Sequence, residues 1–413
     1  MNQVGFRKLI SGQSGGKSSS LLRFLLFIAA IGYSIAVGLR NFLYTKGWLS
    51  AHRANAIVIS IGNITAGGTG KTPLVIWLCN LLKQENVPCA ILTRGYKTRR
   101  ASCVMRPLDL ARGRRAKNIR NTQYAIRNTE IDEPAILAES CSEAQVIVNP
   151  DRVAGAAEAV GRFGAKVLIM DDGFQHRRLA RDLDIVTIDA TQPFGYGRLL
   201  PAGLLREPVN ALNRADAVVI TRCNQITEDK LAELEHKLQQ INRNMIIARS
   251  IHAPVFVKYT EHFVIPAKAG IQKNVEKVDS CLRRNDSIEK LNNKKIFAFC
   301  GIGNPEAFLN TIESLGSELV GSKIYNDHHH YTENDIADII QQAGHLKADL
   351  ILTTQKDWFS TQYAIRNLAL SEVEGTQYEI PFAYLVIEIK FTSGEDKLTA
   401  LIKKTLADKI TAK

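Results

Sequence analysis

The chain reads as an α/β protein. It has a core built on a parallel sheet, a smaller C-terminal α/β lobe and an N-terminal hydrophobic helix. Three features predict this. Short β-branched apolar runs alternate with longer helical stretches over most of the 413 residues, the rhythm of strands buried beneath helices. A glycine-rich turn lies directly between the first such run and the first amphipathic helix. An uncharged apolar stretch, Phe24–Leu39, precedes both.

That stretch sits in an unusual electrostatic setting. The first acidic residue is Glu85, and nine basic residues stand before it. Its 16 residues would make a helix of about 24 Å, short of the roughly 20 residues of a full span. Leu21, Leu22, Phe42 and Leu43 can extend it if Arg23 and Arg40 snorkel, and Tyr44 and Trp48 follow as interfacial aromatics do. The expectation is a membrane-associated helix within residues 1–50. Whether it spans or lies in one leaflet stays open. No small-x-small site marks a cleaved signal peptide.

The next elements follow in order. Ala56–Ile61 reads as a buried strand and Pro73–Lys83 as a helix. Val87–Thr93, Val167–Met170, Leu183–Ile188 and Ala217–Thr221 continue the strand series. Glu228–Asn242 reads as a helix with Thr227 as its cap. Ile296–Cys300 and Leu350–Thr353 are further strands, with helices around 305–315 and 333–343 between them. The expected division is a core over 51–224 and a lobe over 225–413. The heptapeptide Thr122–Asn128 recurs unchanged as Thr361–Asn367. It has no regular period, so these copies, with 262–290 and 359–380, read as inserted surface loops.

Composition narrows the class. Apolar residues at 45% and charged residues at 23% exclude a mainly disordered chain. Seven cysteines without CxxC spacing fit a reducing compartment rather than a disulfide scaffold. The net charge of +12 is uneven. A second basic cluster, Arg94–Arg120, suits nucleic acid, anionic lipid or a phosphorylated substrate.

Two Gly-Lys-Ser/Thr sites compete as phosphate loops: SGQSGGKS at 11–18 and TAGGTGKT at 65–72. Both lack the usual first glycine. Only the second follows a strand and opens a helix. There the backbone of Thr65, Ala66, Gly67, Gly68, Thr69, Gly70 and Lys71 can surround phosphates of ATP. Lys71 can reach the β- and γ-phosphates, and the Thr72 hydroxyl can hold Mg²⁺. The core is thus P-loop NTPase-like. VLIMDDGFQ at 167–175 supplies an apolar strand ending in Asp171 and Asp172, one of which would hold the metal. Proton transfer has several candidates: the run His328–His330 after Asp327, and Asp132 and Glu133 before Pro134. The loop 195–208, with Arg198 and Arg206, can wall an anionic substrate.

Together these residues resemble the tetraacyldisaccharide 4'-kinase family, the lipid A 4'-kinases. The resemblance rests on RNFLYTKGWL at 40–49, IGNITAGGTGKTP at 61–73, DEP at 132–134, VNPDR at 148–152, MDDGFQHRRL at 170–179, LLPAGLLREP at 199–208, GIGNPEAF at 301–308, DHHHYT at 327–332 and TTQKD at 353–357. It implies a transferase that uses ATP and Mg²⁺ to phosphorylate the 4'-hydroxyl of an acylated disaccharide 1-phosphate, at the cytoplasmic face of the bacterial inner membrane. It implies Asp132 as the catalytic acid residue supported by His328, Lys71 as a catalytic phosphate residue, and Thr72, Asp171, Asp172 and Glu133 around the metal. His176 and Arg206 would line the site. Anionic inner-membrane lipid is an expected partner. No nucleic acid and no obligate protein partner are expected. Two rival readings are a P-loop kinase for another anionic small molecule and a nucleotide-dependent nucleic-acid-binding protein. The basic cluster lacks interleaved aromatics, which counts against the latter.

Overall fold

The computed structural model describes residues 3–94, 103–105, 132–259, 285–286, 288–327, 329–370 and 380–410. Most of the Arg94–Arg120 cluster, the first heptapeptide copy, most of 262–290 and His328 lie outside the described residues.

The chain forms two compact units. The first comprises Met1–Val104, Cys141–His252 and Ile389–Lys413. Its sheet is built from β1 (Ile57–Gly62), β2 (Cys89–Thr93), β4 (Gln145–Val148), β5 (Val167–Asp171), β6 (Leu183–Asp189), β7 (Ala217–Thr221) and the first half of β8 (Ile246–Tyr259), with β3 (Cys103–Met105) beside β4. The order is β8-β7-β6-β1-β5-β2-β4, and the pairs from β8 to β4 are parallel. The central strands are apolar throughout because both faces are covered. The register opposes Ile61 to Asp171, so the loop after β1 and the carboxylates after β5 emerge side by side.

Helix Lys71–Gln84 buries Leu74, Val75, Leu78 and Leu82, the i, i+4 stripe that faces a sheet. Helix Arg152–Phe163 is bounded by sequence-legible signals. The Asp151 carboxylate accepts from the Val153 and Ala154 amides, and Gly164 closes it at φ +64°.

The N-terminal hydrophobic helix is longer than its apolar run. It spans Lys17–Thr45, 29 residues, or about 43 Å. It has two faces. Ala30 and Val37 are buried, and Tyr33, Arg40 and Asn41 on that same side bond to the first unit. Leu21, Phe24, Leu25, Ile28, Ile31, Ile35 and Leu39 recur at three- and four-residue steps and are exposed.

The second unit comprises Met105–Ser140 and Ala253–Glu388. Its parallel strands run in the order β10 (Glu318–Ile324), β9 (Lys295–Cys300), β11 (Leu350–Thr354) and the first part of β12 (Phe382–Ser393). Helix Glu333–His345 starts at a capping box between Thr332 and Asp335. The second heptapeptide copy is not a surface loop. Thr361–Asn367 lies inside helix Gln355–Leu370. Thr361, Ala364, Ile365 and Leu368 are buried, and the last three join a core with Tyr384 and Phe382. Their i, i+3, i+4, i+7 spacing explains this: the segment is amphipathic once it continues the helix begun at Gln355.

Candidate active site

β1 leads through Asn63–Gly70 into helix Lys71–Gln84. Gly67 at φ +127° and Gly70 at φ +84° occupy backbone conformations that disfavour side chains. At Gly70 the space is also taken, since a Cβ there would stand 2.3 Å from His252 Nε2. Thr65, in place of the usual first glycine, is fixed by bridging antiparallel to Leu205. The Ala66 amide donates to Leu204 O at 2.7 Å. Asn63 closes the loop from within, donating to Thr69 Oγ1 at 3.0 Å and to Gly67 O at 3.4 Å. Among the described residues no side chain caps the following helix at Gly70, and its first amides can serve a ligand.

Several groups that brace this loop are not singled out by motif. Thr187 shares a 2.7 Å hydrogen bond with Thr69, and the Thr221 hydroxyl donates to Thr69 O at 3.0 Å. Arg222 pairs with Asp189 and donates to Gly68 O at 3.0 Å. Their signal is position: polar residues at the carboxyl ends of β6 and β7, where open parallel sheets bind ligands.

Beside the loop the predicted charges meet. Arg206 Nη1 donates to both Asp172 oxygens at 2.9 and 2.8 Å, and Lys71 Nζ lies 3.5 Å from Asp172 Oδ1. Burial pushes the Asp172 carboxyl up, but the Lys71 and Arg206 charges outweigh it and hold it down at about 2. Asp171 is buried; its carboxylate accepts from Thr93 at 3.3 Å and its backbone O from Arg152 Nη2 at 2.9 Å. Arg152, from the VNPDR segment, is itself buried. His176 follows five residues after Asp171, and its Nε2 is buried without a hydrogen-bond partner among the described residues. Burial and the Arg152 and Arg181 charges lower its imidazole to about 4, so it is neutral at pH 7.

The second unit carries the other predicted residues. Asp132 and Glu133 open helix Asp132–Ser140. Lys356 donates to Asp327 at 2.6 Å. Burial lowers the Lys356 ammonium, yet the Asp327 and Glu133 carboxylates raise it overall. The DEP helix and the residue before His328 thus share one cation. Buried Asp357 binds three motifs together, accepting from the Gly301 amide at 2.9 Å, Tyr331 at 3.0 Å and Thr354 at 2.6 Å. GIGN and TTQKD therefore frame the DHHHYT loop. The Asp132 side chain and His328 lie outside the described residues.

A strand–loop–helix cradle with an invading lysine, beside paired carboxylates on the neighbouring strand, defines a P-loop phosphotransferase. The comparisons specify which. Residues 22–407 match the sequence model of the tetraacyldisaccharide-1-P 4'-kinases. A tetraacyldisaccharide 4'-kinase from Halothermothrix orenii is 36% identical over 84% of this chain and 85% of its own. One from Syntrophus aciditrophicus is 35% identical over 93% of each. The crystal structure of "apo" form LpxK from Aquifex aeolicus in complex with ATP superposes with a TM-score of 0.62 at 25% identity, covering 93% of this chain and 99% of that one. The chain belongs to the tetraacyldisaccharide-1-P 4'-kinase family. It is an ATP-dependent kinase of that lipid.

Proposed function

We propose that the amides of Gly67–Lys71, with Lys71 and Thr72, hold the ATP phosphates, and that Asp132 accepts the proton of the sugar 4'-hydroxyl as it attacks the γ-phosphate. His328 supports Asp132. The observation that carries this reading is the Lys71–Asp172–Arg206 cluster at the uncapped start of helix Lys71–Gln84. Lys71 Nζ lies 3.5 Å from the Asp172 carboxylate, which holds it beside the loop. Neutral His176 and Arg206 line the lipid side of the cluster.

The residues fit Mg²⁺. Asp171, Asp172 and the Thr72 hydroxyl, all in the first unit, are hard oxygen donors, and Mg²⁺ takes one or two carboxylates together with phosphate oxygens. Asp171 and Asp172 stand at the carboxyl end of β5, next to the strand that feeds the loop. Held by these residues, a Mg²⁺ ion would supply charge neutralisation during phosphate transfer.

The helix Lys17–Thr45 places the kinase on the membrane. It has a mean hydropathy of 2.0 and is 11% buried over its most apolar window. Its middle is tied to protein by Tyr33, whose hydroxyl donates to Arg206 O at 2.9 Å. We read it as lying along the bilayer surface with the Phe24–Ile35 face in the acyl region. The site is then at the cytoplasmic face of the inner membrane, and the basic N-terminal residues meet anionic lipid.

Lys71→Met is expected to lower the rate of labelled phosphate transfer from ATP to the lipid by about 10²–10³-fold, with an unchanged circular dichroism spectrum. Full activity in that variant overturns the assignment.

A further inference from the structure

We propose that Arg7 is a further phosphate-binding residue for the nucleotide, brought to the loop by the N-terminal segment that precedes the residues matched by the family model. The proposal rests on the reading of residues 65–72 as the ATP site. The family match begins at residue 22, so the helix Gln3–Ile10 that carries Arg7 lies outside it.

The geometry is direct. A Cβ built on Gly67 would have Arg7 Nη2 as its neighbour, at 3.6 Å. Gly67 is one of the two positive-φ glycines of the phosphate loop, so the guanidinium stands against the backbone that surrounds the phosphates. The segment is anchored there. Leu9 and Ile10 are buried. The Ser14 amide donates to Lys8 O at 3.1 Å, and Arg23 Nη1 donates to Ser14 O at 2.9 Å, which folds the short helix back on the long one.

Charge supplies the second argument. The other cations at the loop are countered: Arg222 by Asp189, and Lys71 and Arg206 by Asp172. Residues 1–84 contain no acid at all. Among the described residues no carboxylate pairs with Arg7. A guanidinium held in place without a counter-ion is complementary to a phosphate, whose oxygens its planar fork can meet in pairs. The acid-free N-terminus thus serves the nucleotide as well as the lipid surface.

The test uses the full-length protein in detergent and a non-hydrolysable ATP analogue, titrated by calorimetry. Arg7→Gln is expected to raise the Kd about tenfold or more, as loss of a charge-assisted hydrogen bond does. Arg7→Lys restores part of the affinity, and Lys8→Gln, one residue along on the exposed side of the same helix, leaves it within twofold. An Arg7→Gln protein that binds the analogue within twofold of the parent, or more tightly, overturns the proposal. Arg7→Lys retains Leu9, Ile10 and the charge, so a loss in Arg7→Gln that Arg7→Lys does not relieve at all also overturns it. The outcome is separable from the roles given to Lys71 and Asp132, because those are read in phosphate transfer and this in nucleotide binding.

Discussion

Asp132→Asn is expected to lower kcat for lipid phosphorylation by about 10²–10⁴-fold, the range of a lost general base. The amide keeps the size of the carboxylate and cannot take the proton from the 4'-hydroxyl. ATP affinity should hold, because the groups assigned to the phosphates lie at Gly67–Thr72 in the other unit. The split between kcat and nucleotide Kd is the informative part. A misfolded variant would lose both, and a variant that loses neither removes Asp132 from the reaction. His328→Ala should fall between the two, with lowered kcat and a shifted pH profile, since it acts through Asp132. Lys356 helps hold this end of the second unit by pairing with Asp327 beside His328.

The second large effect is on stability. Glu207 is wholly buried, with its carboxylate held by Arg214 Nη2 at 2.6 Å, Arg40 Nη2 at 2.7 Å and Asn41 Nδ2 at 3.4 Å. Arg214 also stacks over Phe174 at 3.8 Å and donates to its backbone O at 3.0 Å. Removing the acid leaves Arg214 buried without its counter-charge, which costs about 3–5 kcal/mol when one partner of a buried pair is lost. Glu207→Ala should therefore lower Tm by roughly 10 °C and loosen the N-terminal helix, of which Arg40 and Asn41 are part. Glu207→Gln, which still accepts hydrogen bonds, should cost less. Scanning calorimetry decides it, and a Tm within a degree of the parent for Glu207→Ala would contradict the role.

Where local pattern decides structure, the sequence is enough. AIVISI followed by glycines and a lysine-led helix can hardly be anything but a buried parallel strand and its phosphate loop, and the alternating strands give the sheet. The decoy at 11–18 is separated by the same logic: it follows helix Gln3–Ile10 and runs into helix Lys17–Thr45, with no strand before it among the described residues. What escapes is long-range. The Glu207–Arg40 pair joins residues 167 apart, and the Arg222–Gly68 bond joins residues 154 apart. No periodicity announces such pairs. The second heptapeptide copy fails for a related reason. Identity to Thr122–Asn128 drew attention to the repeat, whereas its burial depends on Trp358, Tyr384 and Phe382 packing around it. Among the site residues, Lys71, Asp172 and Arg206 were legible because each lies in a motif and the register of β1 and β5 brings the motifs together. Arg7 was not, because nothing in QVGFRKLI points toward residue 67.

In this chain the γ-phosphate of ATP is expected to pass to a lipid 4'-hydroxyl through the loop at 65–72. The most direct measurement incubates the full-length protein with γ-labelled ATP, Mg²⁺ and tetraacyldisaccharide 1-phosphate in detergent, and then locates the new phosphate on the product. Labelled 1,4'-bisphosphate that vanishes with Lys71→Met is the predicted result. A well-folded protein that gives no labelled lipid, or that phosphorylates another position, would contradict the account.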